Sequence, residues 1–113
     1  MKNDIKRLME FVDRETAKNI KCGKRTKIEL TYSFFGGKMN MHVRPENLVY
    51  DEDMIFVDSS LDDPSEFSLT VLITDEVKIS IDENAKTFTI VNVGVTGILD
   101  KRIEGKLIRE GYL

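Results

Sequence analysis

Residues 27–44 read Lys-Ile-Glu-Leu-Thr-Tyr-Ser-Phe-Phe-Gly-Gly-Lys-Met-Asn-Met-His-Val-Arg. Apolar and polar residues alternate on both sides of a glycine pair, which predicts a β-hairpin. Gly36 and Gly37 reach positive φ without a Cβ clash, so we expect them to form a two-residue turn that sets Leu30 opposite Val43. One face is then apolar: Ile28, Leu30, Tyr32, Phe34, Met39, Met41 and Val43. A slip of one residue would exchange the two faces, and this fixes the register.

Length and composition are those of one small globular domain that spans residues 1–113. Apolar residues make up 41% of the chain and charged residues 33%, which is typical of a globular rather than a disordered protein. No apolar run approaches the roughly 18 residues of a membrane span, and the charged N-terminus has no apolar signal core. Cys22 is the single cysteine, so no internal disulfide is possible. We therefore expect a cytoplasmic protein with no membrane partner.

The segment before the hairpin predicts an amphipathic helix. Ile5, Leu8 and Val12 follow the spacing of one helical face, which predicts a helix over about 4–20. Gly23 is well placed to end that helix.

The segments after the hairpin predict further antiparallel strands. Apolar runs at 48–50 and 54–57 indicate a second hairpin with an acidic tip, and 58–66 is a loop by composition. Alternating residues then predict a three-stranded meander whose turns lie at 74–76 and 83–86. Its apolar positions share one face: Phe67, Leu69, Val71, Ile73, Val77, Ile79, Ile81, Phe88 and Ile90.

The last segment predicts a short helix. Asp100 is placed to cap it, Ile103 and Leu107 share a helical face, and Gly111 ends it. Gly105 lies inside this helix, at a cost of about 1 kcal/mol relative to alanine.

Residues 37–43, Gly-Lys-Met-Asn-Met-His-Val, resemble the Met-Asn segment of Sm-like RNA-binding proteins. In that family the segment forms part of a nucleotide pocket on a small bent barrel. Glycine stands where the family has an aspartate, and residues 92–94, Asn-Val-Gly, replace its Arg-Gly or Lys-Gly pair. We therefore use the resemblance only as support for a small barrel. The expected fold class is α+β: an N-terminal helix, about seven antiparallel strands in a bent sheet or small SH3- or Sm-like barrel, and a short C-terminal helix.

Charge is distributed unevenly along the chain. Residues 1–45 hold 11 Lys and Arg against 5 Asp and Glu, residues 46–83 hold one base and 12 acids, and residues 84–113 hold 5 bases and 3 acids. Since most middle carboxylates fall in predicted turns and loops, we expect a non-enzymatic adaptor or inhibitor that binds a basic protein partner. Its expected binding residues are Asp51, Glu52, Asp53, Asp58, Asp62, Asp63, Glu66, Asp75 and Glu76. This profile resembles that of many small proteins of mobile genetic elements. Solubility alone is the alternative role of these acids.

A small-barrel nucleic-acid-binding protein is the second hypothesis. Basic residues cluster at the end of the predicted helix and on the polar face of the hairpin, where an aromatic ring is placed to stack on a base. The residues are Lys24, Arg25, Lys27, Phe35, Lys38, Asn40, His42 and Arg44. The acidic middle opposes this hypothesis unless it points away from the nucleic acid.

No motif predicts an enzyme, a cofactor site or a metal site. His42 is the only histidine and falls opposite Thr31 in the predicted register. A general base needs an orienting partner and a nearby substrate proton, and the sequence identifies neither. Cys22 lies among basic residues, but no second cysteine accompanies it. A calcium loop beginning at Asp58 lacks the glycine at its sixth position and the glutamate at its twelfth.

Overall fold

A computed structural model of the chain describes residues 2–34, 36–51, 54–58, 68–72, 74, 76–91 and 101–111. Helix α1 spans Lys2–Lys21, and strands β1 and β2 span Arg25–Phe34 and Gly37–Val43. A 3-10 turn at Pro45–Asn47 leads to β3 Leu48–Asp51, β4 Met54–Asp58 and β5 Ser68–Leu72. The last strands are β6 Lys78–Asp82, β7 Thr87–Val91 and β8 Arg102–Glu110. The predicted α+β composition with an N-terminal helix is confirmed.

The strands form two open antiparallel sheets. One has five strands in the order β2-β1-β8-β7-β6, and the other has three in the order β3-β4-β5. Helix α1 packs on β1, β6 and β8, and the inner faces of both sheets contribute to one shared core. The edge strands of each sheet, β2 and β6 in one and β3 and β5 in the other, do not pair with each other, so neither sheet closes into a barrel within the described part of the chain. The predicted small barrel is wrong.

Helix α1 buries one face and ends at a glycine. Its buried apolar residues are Ile5, Leu8, Phe11 and Val12. Gly23 has a φ of +72°, and its N–H donates to the carbonyl of Ile20 at 2.9 Å. The N–H of Lys24 donates to the carbonyl of Asn19, also at 2.9 Å. This pair of bonds is a Schellman C-cap, which confirms the predicted end of the helix.

The β1–β2 hairpin keeps its predicted faces but not its predicted turn. Leu30 pairs with Met41 and Phe34 pairs with Gly37, so each partner on β2 lies two residues earlier than predicted. Gly36 has a φ of +88°, whereas Gly37 is the first residue of β2. Because the pairing is displaced by two residues, the alternation of side chains is preserved. Ile28, Leu30, Met41 and Val43 are buried in the core, whereas Phe34 and Met39, near the turn, are each 41% exposed.

Strand β5 pairs with β4 and not with β6, so the predicted meander is wrong in part. Val71 lies opposite Ile55, where the sequence predicted Ile79. This pairing completes an apolar layer with β4 over the shared core. The second half of the meander is confirmed, since Ile81 lies opposite Phe88 across the turn at 83–86.

The C-terminal segment is a strand, and the predicted helix is wrong. Strand β8 lies between β1 and β7, so its backbone is paired on both sides. Ile103, Gly105 and Leu107 alternate toward the core and are buried. A Cβ on Gly105 would overlap the ring of Phe88. The glycine that would weaken a helix therefore makes room for an aromatic ring in this sheet.

Candidate interaction surface

The three-stranded sheet carries apolar side chains on both faces. Its inner face belongs to the core, where Ile55, Val57 and Val71 are fully buried. The alternate positions form what we call the outer face: Val49, Met54, Phe56, Thr70 and Leu72. Val49 is 48% exposed and Leu72 is 55% exposed, while Met54 and Phe56 are half-buried. The outer face is therefore an apolar surface that water reaches.

The outer face has the dimensions of a short helix. From Met54 to Asp58 it extends about 13 Å along β4, at roughly 3.4 Å per residue, and three strands span about 10 Å in width. An α-helix with its side chains is about 10–12 Å in diameter. One helix of two to three turns would cover the face.

Carboxylates stand at both ends of the outer face. Asp51 pairs with Met54 at one end, and Asp58 pairs with Ser68 at the other. Both aspartates are exposed, and strand alternation places both on the side of the outer face. Glu76 is exposed in the connection to β6. The remaining predicted binding residues lie outside the described residues: Glu52, Asp53, Asp62, Asp63, Glu66 and Asp75.

Two other acids of the middle segment have structural contacts elsewhere. Arg14 of α1 forms a short ion pair with Glu83, in the turn after β6. Asp82 Oδ1 accepts hydrogen bonds from the N–H groups of Asn84 at 3.1 Å and Ala85 at 3.0 Å. Both acids belong to the five-stranded sheet and not to the outer face. The described acids of the middle segment therefore do not all lie on the outer face.

Arg44 was predicted to lie on an exposed nucleic-acid-binding face, and this prediction is wrong. Arg44 is only 8% exposed. Its Nη1 donates to Glu110 Oε1 at 2.7 Å and to the carbonyl of Thr26 at 3.2 Å. Lys27 Nζ lies 3.3 Å from Glu110 Oε2. The hydrogen bond from Arg44 lowers the pKa of Glu110 against the opposing effect of burial, and Lys27 lowers it further. The partner of Arg44 is on β8, a strand that the sequence did not predict.

The other predicted nucleic-acid residues share a sheet face with acids. Lys38, Asn40 and His42 are exposed on β2. His42 lies opposite Glu29 and not opposite Thr31, and Thr31 Oγ1 donates to Asn40 Oδ1 at 3.0 Å. Lys24 and Lys27 are half-buried, Arg25 is exposed, and Phe35 lies outside the described residues. The structure does not gather these residues into one uniformly basic surface.

Glu15 of α1 is a buried acid with a structural role. Glu15 is 6% exposed and accepts hydrogen bonds from Lys86 Nζ at 2.9 Å and Lys18 Nζ at 3.2 Å. Burial raises the pKa of Glu15, but the hydrogen bonds and charges of the two lysines lower it by more, so its pKa lies below the ordinary value. The carbonyl of Lys86 also accepts from the N–H of Leu107 at 2.9 Å. This cluster ties α1 to the β6–β7 turn and to β8.

Metal-ligating side chains do not cluster among the described residues. They contain no group of three or more His, Cys, Asp or Glu side chains that could hold a metal ion. Cys22 is exposed and free. A shallow depression of about 350 Å³ lies over Gly105, and its rim includes Glu29 and Lys106, which face each other across β1 and β8. Such mixed charge favours no single class of ligand.

No helix formed by the described residues combines the length and apolar character needed to cross a membrane. No protein-family model, curated protein or solved structure matches the chain. The role of the protein must therefore be argued from its own residues.

The apolar residues of the outer face were missed as a site by sequence reasoning. The available signal was that the runs 48–50 and 54–57 are apolar at every position. In a strand, successive side chains point to opposite faces, so such a run presents apolar groups on both sides. Val49 and Phe56 are the residues that this argument would have placed on the outside.

Proposed function

We propose that this chain is a non-enzymatic interaction protein that binds a basic amphipathic helix of a partner protein on its outer face. The single observation that carries the proposal is the pair of exposed apolar side chains, Val49 and Leu72, on a face whose two ends carry Asp51 and Asp58. An acidic adaptor or inhibitor was the expectation from the sequence, and the exposed apolar side chains of the outer face support a binding role of this kind. Location in the cytoplasm stays a prediction.

The exposed apolar side chains supply the affinity in this proposal. Full burial of a valine or leucine side chain contributes about 1.5–3 kcal/mol, so covering the half-exposed Val49 and Leu72 contributes about 1 kcal/mol each. A face of this size buries less than the roughly 800 Å² per partner of a standard interface. We therefore expect dissociation constants in the micromolar range.

The flanking carboxylates supply orientation and association rate. Asp51 and Asp58 stand about 13 Å apart along the strands, which corresponds to about nine residues of an α-helix at 1.5 Å per residue. A partner helix with an apolar stripe and a Lys or Arg at each end of that stripe would match both carboxylates. Opposite charges at the rim of an interface chiefly raise the association rate, and salt weakens this effect.

The nucleic-acid alternative has less support from the arrangement of charges. Arg44 forms its ion pair inside the protein, and Lys27 lies beside Glu110 and Glu29. Carboxylates among the remaining bases repel phosphates at the distances where the bases would attract them.

Peptide binding measured by fluorescence polarisation tests the proposal. The probe is a labelled helical peptide with leucines at i, i+3, i+4 and i+7 and arginines about nine residues apart. We expect Val49→Ser and Leu72→Ser each to weaken binding about fivefold, from the lost apolar contact. Asp58→Lys should weaken it about fivefold to tenfold at low salt and less at high salt.

Matched controls separate the outer face from general electrostatics. Glu104→Lys makes the same charge change on an exposed position of the five-stranded sheet, and we expect it to change binding less than twofold. A peptide with glutamates in place of its arginines should not bind. Equal loss with Glu104→Lys, or unchanged binding by Val49→Ser and Leu72→Ser, would contradict the proposal. A gel shift with single-stranded RNA that Arg25→Ala abolishes would favour nucleic acid instead.

A further inference from the structure

Strand β6 forms one edge of the five-stranded sheet. It pairs with β7 on one side, and no other described strand pairs with it. Its five residues are Lys78-Ile79-Ser80-Ile81-Asp82, of which Lys78, Ser80 and Asp82 are exposed. An edge strand presents a row of backbone N–H and C=O groups on its outer side, which is a template for another strand.

The side chains of β6 are complementary to those of a second, antiparallel β6. If two copies of the strand are paired with Ser80 opposite Ser80, Lys78 of each faces Asp82 of the other. Ile79 of each then faces Ile81 of the other on the core side. Every position thus meets a suitable partner, and the two opposite-charge pairs are related by the two-fold axis. A slip of one residue would destroy all of these matches.

A groove lies beside β6. It has a volume of about 240 Å³ and runs between α1 and β6, and it is lined by the apolar side chains Phe11 and Ile81 together with the charged side chains Arg7, Glu10, Arg14 and Glu83. Ile79 and Ile81 are only half-buried, so part of their apolar surface is still in contact with water. In the antiparallel pairing the partner's Ile79 comes to lie against Ile81 at this groove. Covering this surface adds apolar burial to the backbone hydrogen bonds.

The opposite edge of the sheet lacks this complementarity. Strand β2 has Asn40 at its centre, and antiparallel pairing about that residue sets Lys38 opposite His42. The strand reads Gly-Lys-Met-Asn-Met-His-Val and contains no acid that would face Lys38 of a second copy. Of the two edges, only β6 has a charge pattern that favours a copy of itself.

We propose that two copies of this chain associate through antiparallel pairing of their β6 strands, which makes one continuous ten-stranded sheet. Asp82 can take part while it caps its own turn, because Asn84 and Ala85 both donate to Oδ1 and Lys78 of the partner can approach Oδ2. Five paired residues bury less than a standard interface. The dimer therefore forms at high micromolar protein concentration, and it is independent of the outer face.

Sedimentation equilibrium of charge-reversed chains tests the pairing. Lys78→Asp leaves two carboxylates on the edge and Asp82→Lys leaves two ammonium groups, so each variant alone sets like charges opposite each other. We expect the dissociation constant of each homodimer to rise about 30-fold, because two symmetry-related pairs change from attraction to repulsion. An equimolar mixture of the two variants restores both opposite-charge pairs and should form a heterodimer at least as well as the unmodified chain. Lys106→Asp, the same charge change at an exposed position of the central strand β8, is the control and should leave dimerisation unchanged.

Cysteine cross-linking tests the register directly. In a Cys22→Ser background, Ser80→Cys places a thiol opposite its own copy, where directly opposed Cβ atoms approach within about 4.5–5.5 Å. We expect mild oxidation to give a covalent dimer with Ser80→Cys and none with Asn40→Cys on β2. Circular dichroism of each variant reports whether the fold is retained.

Three results would overturn the pairing. They are an unmodified chain that stays monomeric at millimolar concentration, a mixture of Lys78→Asp and Asp82→Lys chains that forms no heterodimer, and cross-linking of Asn40→Cys equal to that of Ser80→Cys. Because Asp82→Lys also removes the acceptor of its own turn, Asp82→Asn provides a second variant. It keeps the Oδ1 acceptor, removes the charge, and should weaken the homodimer by a smaller factor than charge reversal.

Discussion

Gly105→Ala is the substitution whose cost follows most directly from the structure. A Cβ at this position would lie within 3.0 Å of three ring carbons of Phe88, the farthest of which is Cε2 at 2.8 Å. Real Cβ atoms do not approach other atoms so closely, so either the ring or strand β8 must move. Phe88 is 1% exposed in the core, and β8 is held by strands on both sides. Neither group can move without disturbing its neighbours.

The expected cost of Gly105→Ala is about 2 kcal/mol of unfolding free energy. Overpacking of a well-filled core costs about 1–3 kcal/mol, and a reduction in the entropy of the unfolded chain returns about 0.4–1 kcal/mol of this. Because three ring carbons are involved, we place the packing term at the upper end of its range. With a urea m-value of about 1–3 kcal/mol per molar, the midpoint of unfolding should fall by about 1 M.

Urea unfolding followed by circular dichroism measures this effect, and Gly37→Ala is its matched control. Gly37 is also a strand glycine beside an aromatic ring, but its Cβ would lie 3.4 Å and 3.5 Å from two ring carbons of Phe34, at ordinary contact distance. We expect Gly37→Ala to change stability by less than about 0.5 kcal/mol. In a double-mutant cycle, Phe88→Leu should relieve part of the cost of Gly105→Ala, with a coupling of about 1 kcal/mol or more. Equal effects at Gly37 and Gly105, or strict additivity with Phe88→Leu, would refute the steric explanation.

Three further predictions concern single groups and are read out by urea unfolding. Arg44 holds the pKa of Glu110 below its ordinary value of 4.5. The resulting stability is present above that value and is lost as the pH falls through the lowered pKa, so the difference in unfolding free energy between the unmodified chain and Glu110→Gln should shrink in acid. A difference that does not change with pH would contradict this. Asn19→Ala should lower the unfolding free energy by about 2 kcal/mol, because buried Asn19 donates to Thr26 Oγ1 at 2.6 Å and buried partners would lose their hydrogen bonds. A loss under about 0.5 kcal/mol, roughly that of a surface change, would show that water replaces the amide. Leu72→Ser should change stability by less than about 0.5 kcal/mol, since Leu72 is 55% exposed, and a larger loss would mean that the outer face is already covered.

Local patterns in the sequence were sufficient for the elements whose partners are close along the chain. The spacing of Ile5, Leu8 and Val12 predicted α1, and Gly23 predicted its end. The hairpin partners of β1, β3 and β6 were also found, because short connections leave few ways to pair two alternating strands. Even there the turn of the first hairpin was misplaced by one residue, which displaces the pairing by two, because either turn keeps the same side chains on each face and the pattern cannot distinguish them.

The elements that failed depend on partners far away in the sequence. Ile103 and Leu107 fit one face of a helix, but they fit the alternation of a strand equally well once Gly105 is counted as an inward position. The ring of Phe88 and the open sides of β1 and β7 favour the strand over the helix, and no local pattern contains that information. The burial of Arg44 was missed for the same reason, because Glu110 reaches Arg44 only when residues 102–110 form a strand. Likewise β5 pairs with β4 across residues 59–67, where a shorter connection to β6 had been expected.

The two surfaces proposed for this protein are kept apart by the placement of their charges. The outer face has an acid at each end, Asp51 and Asp58, so two copies laid face to face along their strands would set carboxylate against carboxylate in either direction. Such like-charge contact disfavours self-association of this apolar surface and leaves it for a basic partner. The edge strand β6 instead has Lys78 at one end and Asp82 at the other, which makes antiparallel self-pairing the favourable arrangement. Removing both aspartates of the outer face should therefore make that face self-associate, and the species formed should persist when Lys78→Asp has disabled the edge.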